Sequence, residues 1–284
     1  MSGGDEGKIR CWSMEDGREV GTPMNMQNAI GNIAVSRHGQ QWVVGGTNIG
    51  QVMVWNAESH AKVTEFQAHR GWVYAVDVSP GATRIATGSD DGTACVWSLS
   101  TGERLLDPLK HNYWVVAVKF SPDGRLIATA TAGYSDLRVY DCQNGSLLVK
   151  FPVEVYPTLN QSLAWASDSK KLFALSQDDY IYHIDVSTKT TISQWHIRSS
   201  HYVRCIALAS NDSFIAASAR SSVSLWNTTT QQQIGSIEYT HPVLSIAMSS
   251  NHNLVTSGNK KITILALCSI LPSYYFDNVS VPTF

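Results

Sequence analysis

Six short apolar runs recur along the chain at a nearly constant interval, and this recurrence limits the fold more than any other feature. They are GNIAVS (31–36), VYAVDVS (73–79), VVAVKFS (115–121), NQSLAWA (160–166), VRCIALA (203–209) and VLSIAMS (243–249). Val, Ile and Ala dominate each run, which suits strands covered on both faces. A second apolar run follows each one: QWVVGG, RIATGS, LIATAT, KLFALS, FIAASA and NLVTSG. The intervening RHGQ, PGAT, PDGR, SDSK, NDSF and SNHN are turn-forming residues.

A third strand is expected to end at Trp55, Trp97, Tyr140, Ile184, Trp226 and Leu265, with Trp12 in the same series. Successive members are separated by 43, 42, 43, 44, 42 and 39 residues. Several short strands in each such interval match the roughly 40–45 residues of a β-propeller blade. The expected fold is therefore all-β, a single propeller domain over residues 1–284. Its expected units are a partial first blade (1–27), blades at 28–66, 67–108, 109–151, 152–195 and 196–239, and a last blade with a C-terminal strand (240–284).

Residues 1–22 hold only third- and fourth-strand patterns, with SGG resembling the end of a second strand. The reading is seven blade positions with the first incomplete, as in a fragment of a longer protein. The alternative is a six-bladed ring with residues 1–22 packed outside it. SYYFDNVSV is a candidate fourth strand for the last blade.

Residues 68–104 carry His69, the strand–turn sequence GSDDG and Trp97. Through these the chain resembles the WD-repeat family of β-propellers, and the resemblance covers essentially its whole length. HRGWV (69–73) and SPDGR (121–125) are most similar to repeats of fungal WD proteins, some of which follow a nucleotide-binding NACHT domain. The resemblance implies a buried network of His69, Ser89, Asp91 and Trp97, with Thr87 on the same face as Ser89. Asp91 is then a structural group, because a buried carboxylate needs partners, and Asp90 is exposed at the turn tip. The other blades keep this set poorly: Ile49 and Arg220 replace the acid, Tyr140 follows a longer TAGYSD turn, and His201 and His241 stand in incomplete sets. Stability is accordingly expected to concentrate around residues 68–140.

A net charge of −2 and a pI near 6.5, with scattered Lys and Arg, give no footprint for nucleic acid or an anionic membrane. Five widely spaced cysteines without a C-x-x-C pair point to reduced thiols and a cytoplasmic or nuclear location, with no disulfide framework and no zinc site. The longest apolar stretch, ITILALCSIL, falls short of the roughly 20 residues of a membrane span. The N-x-S/T sequons at Asn160, Asn211, Asn227 and Asn278 are read as unglycosylated. Neither a phosphate loop, a G-x-G-x-x-G nor a G-x-S-x-G occurs. His196 and His201 are the closest histidine pair but lack a third metal ligand. No catalytic residue, cofactor or metal is expected, and a hydrolase is the most distant reading.

The loops entering the first strands should cluster around the channel. They carry Arg70, Trp72, Tyr113, Trp114, Tyr156, Tyr202 and Arg204, residue types enriched at interaction hot spots. The expected function is a non-catalytic scaffold for proteins or peptides, acting as a monomer or as the recognition part of a larger fungal protein. The bland alternative for Trp72 and Trp114 is that they cap their blades. A substrate-recruiting subunit of a ubiquitin ligase is the second reading. It is weakened because WSME, WNAE, WSLS, YDCQ and WNTT do not supply the W-D-x-R motif such relatives use.

Overall fold

A computed structural model describes residues 1–13, 15–36, 42–133, 135–155, 162–197, 202–249, 251–258 and 261–276. Each repeat folds as one antiparallel sheet whose strands follow chain order. At the N-terminus β1 (Lys8–Trp12) pairs with β2 (Glu19–Asn25), and Ser2 bridges to Arg10. Blade 1 holds β3 (Ile30–Val35), β4 (Trp42–Thr47), β5 (Gln51–Asn56) and β6 (Lys62–Gln67). Blade 2 holds β7 (Val73–Val78), β8 (Arg84–Ser89), β9 (Thr93–Ser98) and the two-residue β10 (Leu109–Lys110).

Blade 3 is β11 (Val115–Phe120), β12 (Leu126–Thr131), β13 (Ser135–Asp141) and β14 (Leu147–Glu154). Blade 4 is β15 (Leu163–Trp165), β16 (Lys171–Leu175), β17 (Tyr180–Asp185) and β18 (Thr190–His196). Blade 5 is β19 (Val203–Leu208), β20 (Phe214–Ala219), β21 (Ser222–Asn227) and β22 (Gln233–Glu238). Blade 6 has three strands, β23 (Ser245–Met248), β24 (Asn253–Gly258) and β25 (Lys261–Ala266).

The fold is a six-bladed β-propeller, the alternative offered by the sequence. Six sheets possess an innermost first strand, and these touch in succession from β3 through β23. The β1–β2 sheet has no first strand among the described residues, so it is not counted as a seventh blade. It packs on blade 1, where Ile9, Met24 and Met26 join Val43, Met53 and Trp55. The expected fourth strand in SYYFDNVSV is also corrected. Ser273–Tyr275 forms a short 3-10 helix, and Tyr275 is buried against Phe214 of blade 5. Its carbonyl accepts from Asn211 Nδ2 at 2.7 Å, which ties this segment to blade 5. Residues 277–284 lie outside the described residues.

The core is divided among blade interfaces, as in other repeat architectures. Val44, Val52 and Val54 of blade 1 pack with Val73, Val76, Ile85 and Trp97 of blade 2. The next interface combines Ala86 and Val96 with Val118, Ile127 and Tyr140. Fully burying a Val, Leu or Ile contributes about 1.5–3 kcal/mol, so nearest-neighbour burial supplies most of the cohesion. A polar tie crosses the inner strands: Asp77 accepts from Lys119 Nζ at 3.0 Å and from the Phe120 backbone N–H at 2.9 Å. Trp165 Nε1 of blade 4 then donates to the Lys119 carbonyl at 3.1 Å.

First strands of blades 1, 2, 3 and 5 contain a register shift, between Ile30 and Asn32, Val73 and Ala75, Val115 and Ala117, and Val203 and Cys205. Such irregularities re-aim side chains. Here they lie at one end of the innermost strands, where a propeller's channel opens.

Candidate functional site

In blade 2 the His69 ring is buried between two elements. Its Nδ1 lies 3.0 Å from Asp91 Oδ2 and its Nε2 lies 2.7 Å from Thr87 Oγ1. Trp97 Nε1 donates to Thr87 Oγ1 at 2.9 Å. These contacts fix one direction of donation: indole N–H to threonine, threonine O–H to Nε2, and Nδ1–H to the carboxylate. The hydroxyl between ring and indole is thus Thr87, not Ser89. Ser89 Oγ instead accepts from the Asp91 backbone N–H at 3.2 Å and steadies the turn.

Asp91 also accepts from Thr93 Oγ1 at 2.6 Å and from the Arg70 N–H at 3.2 Å. Burial alone would raise its pKa. Hydrogen bonds from His69 and Thr93 outweigh that and hold it well below the usual carboxylate range. Asp90 is half-buried beside Gly71 rather than fully exposed at a turn tip. The two neighbouring acids point to different surroundings, so they form no paired-carboxylate site.

Blade 3 contains a second network that sequence reading missed. His111 Nδ1 lies 3.2 Å from Asp136 Oδ2, and its Nε2 lies 3.2 Å from Thr129 Oγ1 and 3.5 Å from Tyr140 OH. Asp136 also binds Arg138 Nε at 2.6 Å and Lys150 Nζ at 3.0 Å. Burial favours its protonation, yet these partners hold its pKa far below the ordinary value. Burial moves His111 the other way from protonation and keeps its imidazole neutral. The sequence signal was Asp136 itself, displaced by the longer turn of this blade.

Elsewhere the same place is apolar. His69 and His111 donate their backbone N–H to Gly50 and Gly92, and the equivalent bonds run from Met26 to Gly7 and from Ile197 to Asp179. All four acceptors have positive φ. At Gly50 (φ +84°) a Cβ would collide with the His69 carbonyl, so glycine is needed there. Met26 and Ile197 therefore stand where His69 stands. Gly45 and Ala217 take the place of Thr87, opposite Met53 and Ser224. Blade 5 uses Ile197 rather than the expected His201, which lies outside the described residues. In blade 6 both ring nitrogens of His241 are buried without a partner, so it builds no network.

Trp72, Trp114 and Tyr202 each stand one residue before a first strand, the same position in three blades. Trp72 stacks on Tyr74 with ring centroids 5.6 Å apart and planes 14° apart. Tyr74 in turn meets Trp114 at 6.0 Å. The aromatic row therefore crosses from blade 2 to blade 3. Trp72 is anchored, since its indole lies over Gly31 of blade 1 where a Cβ would come within 2.5 Å of Nε1. Trp114 is 54% exposed, Tyr113 40% and Tyr202 67%, so these three offer contact area to a partner. Arg70 and Arg204 are exposed nearby in sequence, and Tyr156 lies outside the described residues.

A family model described as "WD domain, G-beta repeat" matches residues 61–98, 104–141 and 190–227. Each match ends one residue beyond Trp97, Tyr140 or Trp226, the position at which the repeat was phased. The chain is a WD-repeat β-propeller. Comparison with curated proteins gave no match. WD-repeat propellers are typically protein-interaction scaffolds, and the exposed aromatic positions of this one suit that use.

Chemistry of other kinds finds little support in this WD-repeat chain. Among the described residues no three His, Cys, Asp or Glu side chains gather as metal ligands. His196 packs edge-on against Tyr180. Cys11, Cys95, Cys142 and Cys205 are buried and Cys268 is exposed, all unpaired. Burial pushes the thiols of Cys95 and Cys142 up to about 11 and about 12, which keeps them protonated and poorly nucleophilic. No described helix is long and apolar enough to cross a membrane.

Proposed function

We propose that the protein is a non-catalytic scaffold that holds partner proteins or peptides on the channel rim built by Arg70, Trp72, Tyr113, Trp114, Tyr202 and Arg204. One observation carries this reading: the stacked row Trp72–Tyr74–Trp114 ends in large exposed aromatics beside the entrance to the inner strands. Exposed aromatics cost little side-chain entropy on docking, and their burial is a common source of hot-spot energy. The histidine networks of blades 2 and 3 lie directly beneath this row, so the platform is set before a partner arrives. Such preorganisation favours affinity.

The likeness of HRGWV and SPDGR to fungal WD-repeat proteins supports a further part of the proposal, that this propeller is the recognition part of a larger chain. The test is capture of interacting proteins by the native chain and by a Tyr113→Ala, Trp114→Ala, Tyr202→Ala variant. The variant is expected to fold normally and to lose bound protein. Equal capture by both would remove the rim from the account.

A further inference from the structure

Blade 4 departs from the other five at one pair of facing positions. One residue before the end-of-repeat aromatic, or the aliphatic that replaces it, the other blades carry Val54, Val96, Val139, Leu225 and Ile264. Their partners on the second strand are Val44, Ala86, Ala128, Ala216 and Val255. In blade 4 the pair is His183 and Phe173. Five repeats thus show that the fold is satisfied by aliphatic side chains here, and nothing in the blade calls for an imidazole.

The imidazole is also left unfinished. It stacks on Phe173 with centroids 4.6 Å apart and planes 18° apart, yet its Nε2 is shut from solvent with no hydrogen-bond partner. Ser193, directly opposite on β18, has an Oγ in the same condition. Two adjacent orphaned polar atoms lower stability unless something meets them. Both residues line a cavity of about 560 Å³ between blades 4 and 5, with Phe173 and Ile192 as apolar wall and Thr228 and Gln231 across from them. That volume lies within the roughly 300–1,000 Å³ of small-molecule sites.

The charged residues of the cavity already have partners. Lys171 lies 3.7 Å from Asp168, and Asp212 accepts from both the N–H and the Oγ of Ser167. Burial, with Lys171 nearby, lowers the pKa of His183 and keeps it neutral. A neutral imidazole offers either a lone pair or an N–H at Nε2, and the serine hydroxyl offers both. A carboxamide meets either arrangement, because it carries an acceptor and two donors on one planar group.

We propose that this cavity binds an uncharged small molecule carrying a carboxamide on an apolar body. The site is at the opposite end of the first strands from the rim aromatics and does not rest on the scaffold reading. Benzamide is a direct probe, with benzoate as its charged counterpart. Calorimetric titration of the full chain, with NMR observation of the His183 ring protons, should show saturable benzamide binding that moves those resonances. Benzoate should bind at least about tenfold more weakly. His183→Val, the residue of blades 1 to 3, and Ser193→Ala should each weaken benzamide about tenfold, the size of one buried hydrogen bond, without loss of the folded thermal transition. Failure of benzamide to bind, unmoved His183 resonances, equal binding of benzoate, or undiminished binding by both variants would overturn the proposal.

Discussion

Met26 lies so close over Gly45 that no Cβ fits between them. Thioether and glycine occupy in blade 1 the places that His69 and Thr87 occupy in blade 2. One repeat fills the position by packing and the other by hydrogen bonds, on the same backbone. Gly45→Ala should therefore overpack blade 1 and cost about 1–3 kcal/mol, although alanine fits the equivalent place in blades 4 and 5 as Ala174 and Ala217. Urea unfolding of the variant checks this. Unchanged stability would mean that Met26 moves aside freely.

Thr87 relays between two rings, whereas Ser89 bonds one turn amide. Thr87→Val keeps the shape and leaves the Trp97 N–H buried without an acceptor, so it should cost about 1–3 kcal/mol. Ser89→Ala should cost about 0.5–1.5 kcal/mol. Chemical denaturation of both variants gives the order. A larger loss for Ser89 would restore it as the network hydroxyl.

Acid should destabilise the propeller in two stages. Burial lowers the pKa of His111, so the unfolded chain takes up a proton first as pH falls through its ordinary value near 6.5. Asp91 and Asp136 have depressed pKa values. Their contribution is complete above the unfolded carboxylate value near 4 and is lost as pH falls below it. Unfolding free energy measured from pH 7 to pH 2 should decline over both ranges. In Asp136→Asn it should start lower and decline less below pH 4. A flat profile in the native protein contradicts the networks.

Amide exchange should be slowest in blades 2 and 3, which combine apolar interfaces with the His69 and His111 networks, and faster in blades 4 and 6. Uniform protection across all six blades would show that the polar networks add little to local stability.

The strand pattern was legible because it rests on apolar runs and turn residues that each repeat restates. Trp12, Trp97 and Trp226 fell in register for the same reason. Less legible were positions where one chemistry replaces another. Ile197 was overlooked in favour of His201, since residue identity was matched where the shared feature is a backbone bond to Asp179. Asp136 was hidden by a longer turn. Thr87 and Ser89 share a face of β8, and only the geometry of Trp97 chooses between them. The pairing of Trp72 with Tyr74 depended on the register shift beside Tyr74, which apolar patterning does not reveal.

The channel rim is the centre of this account, and affinity capture tests it most directly. Native protein and the Tyr113→Ala, Trp114→Ala, Tyr202→Ala variant would be compared at equal folded concentration in extract from the native source. The account predicts that specific proteins are retained by the native chain and lost from the variant, with thermal stability unchanged. Retention of the same proteins by both would place the docking surface elsewhere, and no specific retention by the native chain would contradict the scaffold reading itself.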